Sequence, residues 1–252
     1  MIAVTGAARG IGRAITLRLA KDGWGVLATD VDSDGLRTTV DEVRQIGGTI
    51  ADRQVDTRDL AQVNNLPQMA VDDLGGFDGL VANAGIQHLQ LPLDITPFDW
   101  DELLNVNLRS TFFTLQAGAR DLIKRGGGAM VAMASIAGIT GHPLYAHYAA
   151  SKAGVIAAVR SLAEALAEHH VRVNAVAPGM VDTAMWDNVD AEWARLEQIP
   201  RGEPKRRRVT QIPLGRAGRP EDIAAAVAFL LSPDADYITG EVIRVCGGAF
   251  IG

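Results

Sequence analysis

The chain has 252 residues, a length that fits one large α/β domain or two small ones. Hydrophobic residues make up 48% and charged residues 21%, with 27 glycines and 10 prolines, which excludes a disordered chain and allows a sizeable core. A formal charge of −6 and a pI near 5.4 leave no basic field for a nucleic-acid backbone or an anionic membrane surface. The one cysteine, Cys246, makes no intramolecular disulfide and supplies no cysteine-based metal cluster, so no metal site is expected. The longest apolar run, Ile223 to Leu231, falls well short of the roughly 18 residues of a membrane span. Gly6 and Arg9 interrupt any signal-peptide pattern, and a cytoplasmic protein is expected.

In chain order, Ile2 to Val4 reads as a strand that breaks at Gly6 and passes into a helical pattern from Ile11 to Leu19. Gly25–Thr29 reads as a strand, Gly35–Ile46 as a helix, Thr49–Val55 as a strand and Asp59–Leu74 as a helix. Phe77–Ala82 is a further strand, and Phe98–Lys124 a long helix that ends at three successive glycines. Strand Ala129–Ala134, helix His147–His169 and strand Val171–Val176 follow, then helix Glu221–Leu231 behind Pro220, and a last strand Glu241–Val245. Strands alternating with helices imply parallel βαβ units, and short strands that are apolar along their length imply a sheet covered on both faces. The expected fold is therefore α/β: a single-domain, Rossmann-type, doubly wound parallel sheet of about seven strands spanning residues 1–252. Because Met1 stands directly before the first strand, that strand is expected to fray slightly.

Residues 185–211 break the alternation. They carry Trp186, Trp193, two prolines and the run Lys205-Arg206-Arg207-Arg208, and are too long for an ordinary connection. Beyond the carboxyl end of a strand, such an insertion reads as a substrate-covering lobe; a solvated helical decoration is the alternative. The four basic residues read as a solvated face.

Glycines 6, 10 and 12 lie between the first strand and the first helix. Glycine permits a sharp turn and close approach to a pyrophosphate, and the helix N-terminus offers unpaired N–H groups and partial positive charge. Alone this is also the pattern of a plain strand-to-helix turn. Asp30, at the end of the second strand and 18 residues past Gly12, is placed to accept hydrogen bonds from the adenosine ribose and to repel a 2′-phosphate. Arg9 argues the other way, since a guanidinium in the turn can pair with that phosphate. Asp30 decides for NAD over NADP.

Tyr148 and Lys152 are four residues apart and so share a helix face. An ammonium beside a phenol stabilises phenolate and is expected to lower its pKa from about 10, making Tyr148 a general base. Ser135 follows a strand end, where a hydroxyl can hold a substrate oxygen; a helix cap is the plainer reading. His147 is expected to face away from the Tyr148 ring.

With these residues in view, the sequence resembles the short-chain dehydrogenase/reductases over essentially its whole length. Thr5 to Gly12 is similar to TGxxxGxG, Asn83-Ala84-Gly85 to the central turn, Tyr148 to Lys152 to YxxxK, and Pro178-Gly179 with Thr183 to the segment after the sixth strand. The resemblance implies a catalytic tetrad of Asn107, Ser135, Tyr148 and Lys152. Asn107 would hold a water linking Lys152 to solvent, Ser135 would polarise the substrate oxygen, Tyr148 would move the proton and Lys152 would also hold the nicotinamide ribose. The cofactor residues it implies are Gly6, Arg9, Gly10, Ile11, Gly12, Asp30, Val31, Asp56, Thr57, Asn83, Ala84, Gly85, Pro178, Gly179, Val181 and Thr183, with Tyr148 and Lys152. Ala82 and Cys246 depart from the family pattern, at a sheet contact and a C-terminal contact. The family also implies a homotetramer packed through the two long helices.

The segment from Pro178 through Asp187, with Pro200 to Glu203, resembles NAD-dependent polyol dehydrogenases of the sorbitol and galactitol type. Substrate contacts are expected from Gln87, His88, Ser135, Tyr148 and Trp186, with His142, Asn188 and Glu192 as further polar candidates. Vicinal-diol, 3-oxoacyl and steroid-like carbonyl substrates stay open, the last because Leu144, Met180, Met185 and Trp186 can line an apolar pocket. A dinucleotide-binding regulator without catalysis would not need the tetrad.

Overall fold

The computed structural model describes residues 1–251. Seven strands, β1 (Ile2–Thr5), β2 (Val26–Asp30), β3 (Ile50–Gln54), β4 (Gly79–Ala82), β5 (Gly128–Met133), β6 (Val171–Pro178) and β7 (Val242–Val245), form one sheet in the order β3-β2-β1-β4-β5-β6-β7. Every pairing is parallel, as helical crossovers between successive strands require. Side chains alternate across the sheet. Ile2 and Val4 pack with α1 (Gly10–Lys21), α2 (Ser33–Gln45) and α10 (Pro220–Leu231) on one face, while Ala3 and Leu80 pack with α4 (Leu66–Leu74), α6 (Ser110–Arg125) and α7 (Ala146–Leu166) on the other. Strand order reverses between β1 and β4, and at such a switch point the diverging loops open a crevice at the carboxyl ends.

Several expectations are refined. The first strand does not fray: β1 is buried throughout, and the Met1 ammonium pairs with Asp78. The helix expected over Asp59–Leu74 is two, α3 (Leu60–Asn64) and α4, because Pro67 has no N–H to continue the first ladder. The long helix expected from Phe98 begins at α5 (Pro97–Leu104), where Thr96 and Asp99 form a capping box. It then widens into a π-turn over Asn105–Arg109 before α6; such turns insert one extra residue and re-aim a side chain. Here the side chain is Asn107, fully buried.

Across residues 184–210 the chain forms two helices, α8 (Ala184–Glu197) and α9 (Glu203–Thr210). Buried Asp190 joins the two helices by accepting from the amides of Gly202 at 2.6 Å and Lys205 at 2.8 Å. Trp186, Trp193, Leu196 and Val189 pack on Leu89 and Leu144, which gives the lobe a small core of its own.

Candidate active site

A cleft of about 670 Å³ opens at the carboxyl ends of the strands. One end is the turn after β1. Gly6 and Gly10 have φ of +68° and +54°, where side chains are strained. A Cβ on Gly12 would lie 1.9 Å from the Gly6 carbonyl oxygen. Asn83 Nδ2 fastens the turn by donating to the carbonyls of Thr5 and Gly6 at 2.9 and 3.0 Å. Asp30 accepts from the amides of Ala8 at 3.0 Å and Asp32 at 3.0 Å, which fixes its carboxylate at the cleft wall. Arg9 forms an ion pair with Asp32 rather than standing free in solvent. Asp32 was not singled out by sequence; its position, two residues past the strand-end acid, is the signal that could have found it.

Ile11, Val31, Asp56, Thr57, Ala84, Gly85, Pro178, Gly179, Val181 and Thr183 all line the same cleft. Asp56 is held by Arg58, whose guanidinium hydrogen bonds keep the carboxyl below its usual range. Arg58 and Glu102 are lining residues the sequence did not suggest.

At the other end, Ser135, Tyr148 and Lys152 meet. Ser135 ends the β5 connection, and its hydroxyl accepts from Ala137 N–H at 3.1 Å, so the cap reading holds beside the site position. Tyr148 and Lys152 occupy one face of α7 and are buried. Lys152 Nζ donates to the Met133 carbonyl at 2.8 Å and lies 5.9 Å from the centre of the Tyr148 ring. The expected lowering of the phenol pKa is corrected: burial pushes it up to about 12, against the opposing influence of the Ser135 hydroxyl. Burial also brings the ammonium down to about 8. Desolvation disfavours charge on both groups and outweighs their proximity.

Asn107 Nδ2 donates to the Ile86 carbonyl at 2.8 Å and to Ser151 Oγ at 3.3 Å, while Oδ1 accepts from Ile86 N–H at 2.8 Å. The amide therefore clamps the start of the loop that carries Gln87 and His88. Both of those, with Trp186, Met185 and Asn188, line the cleft beside Tyr148. His142 and Glu192 are committed elsewhere. The His142 ring stacks on Tyr145 at 4.1 Å, and Glu192 accepts from Leu89 N–H at 3.2 Å. Tyr145, unforeseen, lines the cleft from the N-cap of α7, with its ring edge-on to that of Tyr148 at 5.8 Å. The basic run is likewise not wholly solvated, because Arg208 also lines the cleft. His147 is sealed from solvent, with both ring nitrogens lacking a hydrogen-bond partner.

The profile of a family described as enoyl-(acyl carrier protein) reductase, a division of the short-chain dehydrogenases, matches residues 6–249. The chain belongs to the short-chain dehydrogenase/reductase family. It is accordingly an oxidoreductase. It is 39% identical to sorbitol dehydrogenase of Cereibacter sphaeroides over 97% of this chain and 95% of that one. It is 38% identical to the 3-oxoacyl-acyl-carrier-protein reductase FabG of Thermotoga maritima, over 98% and 96% of the two chains. A crystal structure of an actinorhodin polyketide ketoreductase variant with NADPH superposes with a TM-score of 0.94 at 33% identity, covering 98% of this chain and 96% of that one. Among the described residues no helix is long and apolar enough to cross a membrane, and no cluster of potential metal ligands occurs.

Proposed function

We propose that this short-chain dehydrogenase/reductase interconverts a secondary alcohol and a ketone with NAD, acting on a polyol or sugar alcohol. The observation that carries the reading is the meeting, in one cleft, of a glycine cradle walled by the Asp30 carboxylate and the Ser135, Tyr148, Lys152 cluster. The residues present fit a dinucleotide: Gly12 leaves no room for a side chain against Gly6, and Gly10, Ile11 and Gly12, the first residues of α1, line the cleft. Gly6, Gly10, Ile11 and Gly12 would hold the pyrophosphate and Asp30 the adenosine ribose. Asp56 and Thr57 would border the adenine. Val181, Thr183 and Lys152 would hold the nicotinamide end. A bound dinucleotide would supply the hydride acceptor in oxidation and the hydride donor in reduction.

The chain's own work is proton transfer and positioning. In the reducing direction the neutral Tyr148 phenol gives its proton to the substrate oxygen, while Ser135 donates a hydrogen bond to that oxygen. In the oxidising direction Tyr148 acts as phenolate, takes the hydroxyl proton and ends as phenol. Lys152 stabilises that phenolate, which the reducing direction regenerates, and Asn107 holds the loop that flanks the substrate. Asp30 supports NAD: a 2′-phosphate would lie against a fixed carboxylate, and Arg9 is already paired. Gln87, His88 and Asn188 beside Trp186 provide hydrogen-bonding groups suited to a chain of hydroxyls. The similarity to the Cereibacter sorbitol dehydrogenase supports the same substrate class. The similarity to the Thermotoga reductase favours a second reading, reduction of a 3-oxoacyl group. The unpaired Cys246 suits a reducing cytoplasm, and a homotetramer packed through α6 and α7 is the expected assembly.

The test is reduced-cofactor absorbance with NAD and with NADP against sorbitol, galactitol, ribitol, xylitol, butanediol and hydrophobic secondary alcohols. Turnover of polyols with NAD is expected. Activity confined to hydrophobic alcohols, 3-oxoacyl thioesters or NADP would overturn the substrate or cofactor assignment.

A further inference from the structure

Helix α9 carries four basic residues in succession, and the protein's own carboxylates neutralise three of them. Lys205 Nζ pairs with Asp182 at 2.7 Å and Asp187 at 3.3 Å, Arg206 with Glu203 at 2.7 Å, and Arg207 with Glu203 at 2.8 Å and Glu197 at 3.5 Å. Arg208, half-buried, lines the cleft instead. Among the described residues its one side-chain hydrogen bond goes to a neutral group, the Gln211 carbonyl at 3.3 Å.

No carboxylate lines the substrate end of the cleft to balance that charge. The acidic lining residues are Asp30, Asp56 and Glu102. Asp30 is fixed under the glycine turn, and the other two gather at Arg58 on the dinucleotide side. Glu192 and Glu197 of the lobe are engaged: Glu192 accepts from Leu89 N–H, and Glu197 accepts from Trp193 Nε1 at 2.6 Å and pairs with Arg207. The influence of Arg208 is felt at the cleft wall. Burial first, and then the Arg208 charge, hold the His142 imidazole down at about 4, so His142 adds no second cation at neutral pH. Burial raises the Tyr145 phenol, and Arg208 opposes that rise.

A guanidinium partly withdrawn from water, lining the same cleft as Tyr145 and Trp186 and without a counter-ion, favours an anion over a neutral ligand. Its planar fork matches a carboxylate or phosphate with two parallel hydrogen bonds. We propose that the substrate carries a carboxylate or phosphate at the end of its chain away from the reacting carbinol, and that Arg208 receives it. This rests on the polyol reading above and narrows it to an aldonate or a polyol phosphate.

The test uses matched series on the intact enzyme with NAD: sorbitol, gluconate and sorbitol 6-phosphate, with ribitol, ribonate and ribitol 5-phosphate. One anionic member is expected to exceed its neutral parent in kcat/KM by about 10- to 100-fold, the range of a charge-assisted bidentate contact. Whether the carboxylate or the phosphate gains identifies the group. Arg208→Gln should bring the ratio of anionic to neutral substrate close to one, and Arg208→Lys should keep part of it, with thermal melts confirming that both variants fold. A wild-type ratio at or below one, or a ratio that survives Arg208→Gln, overturns the proposal. If no member of either series is oxidised, the polyol reading fails on its own, and quenching of bound NADH fluorescence by gluconate and by sorbitol 6-phosphate still decides the role of Arg208. Tighter binding of an anion than of sorbitol, lost in Arg208→Gln, supports it; equal binding of all three overturns it.

Discussion

Lys152 and Tyr148 are both buried on one face of α7, with Nζ 5.9 Å from the phenol ring centre and hydrogen-bonded at 2.8 Å to the Met133 carbonyl. Burial disfavours the charged form of each group. Lys152 is brought down to about 8 and Tyr148 is pushed up to about 12. Below about 8 the pair holds both protons, ammonium and neutral phenol, which is the form that donates a proton to a ketone. Above it one proton has left, and the pair can accept one from an alcohol. Ketone reduction should therefore fall, and alcohol oxidation rise, as pH passes through about 8. In Lys152→Ala the rise in oxidation should move up toward the phenol's own range. Rate profiles in both directions from pH 6 to 10 check this, and a flat oxidation profile would exclude the pair as the titrating unit.

Tyr148→Phe removes the phenolic oxygen and keeps the ring that packs against Leu103 and Ala137. Loss of a positioned proton donor costs about 10²–10⁴-fold in rate. The expected outcome is turnover reduced by that factor with NADH binding, followed by fluorescence, little changed. Turnover within a few-fold of the parent would take the proton-transfer role away from this residue.

The sheet, and the meeting of most predicted residues in one candidate cleft, were legible in the sequence because their signals are local. Apolar strands alternate with helical periodicity, Gly6 and Gly12 meet a strand end, and Tyr148 and Lys152 lie one helical turn apart. What stayed hidden depends on through-space geometry. Sequence spacing places an ammonium near a phenol, but only the fold shows that both are stripped of water and that desolvation reverses the expected shift on Tyr148. Arg9 and Asp32 are 23 residues apart, and their pairing appears only once β1 and β2 lie side by side. Arg208 sits within a run of like charges, and the turn of α9 alone separates it from its three neutralised neighbours.

Asp30→Ala should shift preference toward NADP by removing the fixed carboxylate, and the Arg9–Asp32 pair limits how far. While Asp32 holds Arg9, the guanidinium meets a 2′-phosphate only by giving up its partner. The double variant Asp30→Ala with Asp32→Asn is expected to bind NADPH more tightly than Asp30→Ala alone, read by fluorescence titration rather than by turnover. Asp32 also caps α2 by accepting from Gly35 N–H at 3.0 Å, and Asn is chosen because its side-chain carbonyl can keep that cap. Unaltered NAD preference in Asp30→Ala would remove Asp30 from the discrimination.

Gly12→Ala tests the cradle sterically. The added methyl would stand 1.9 Å from Gly6 O and 2.6 Å from Asn83 Nδ2, so the turn must open or the start of α1 must shift. Overpacking of this kind costs about 1–3 kcal/mol, and at roughly 2–4 °C per kcal/mol for a chain of this size the melting midpoint should fall by about 2–12 °C. NADH affinity should fall as well. A variant that melts and binds like the parent would show that the turn is more pliant than its contacts indicate.

Asn107→Ala separates two roles for the buried amide. As a clamp, Asn107 satisfies both the N–H and the carbonyl of Ile86, and its loss would leave two backbone groups of the Gln87 and His88 loop unpaired, at about 1–3 kcal/mol each where water cannot replace them. Amide exchange at Ile86 should accelerate while the β4 amides keep their protection, and KM for the alcohol should rise as the loop loosens. A residue that only relays protons toward Lys152 would instead lower kcat and alter its pH profile, leaving exchange at Ile86 untouched. Exchange and steady-state kinetics on one variant therefore tell the clamp from the relay, and unchanged protection at Ile86 would sink the clamp.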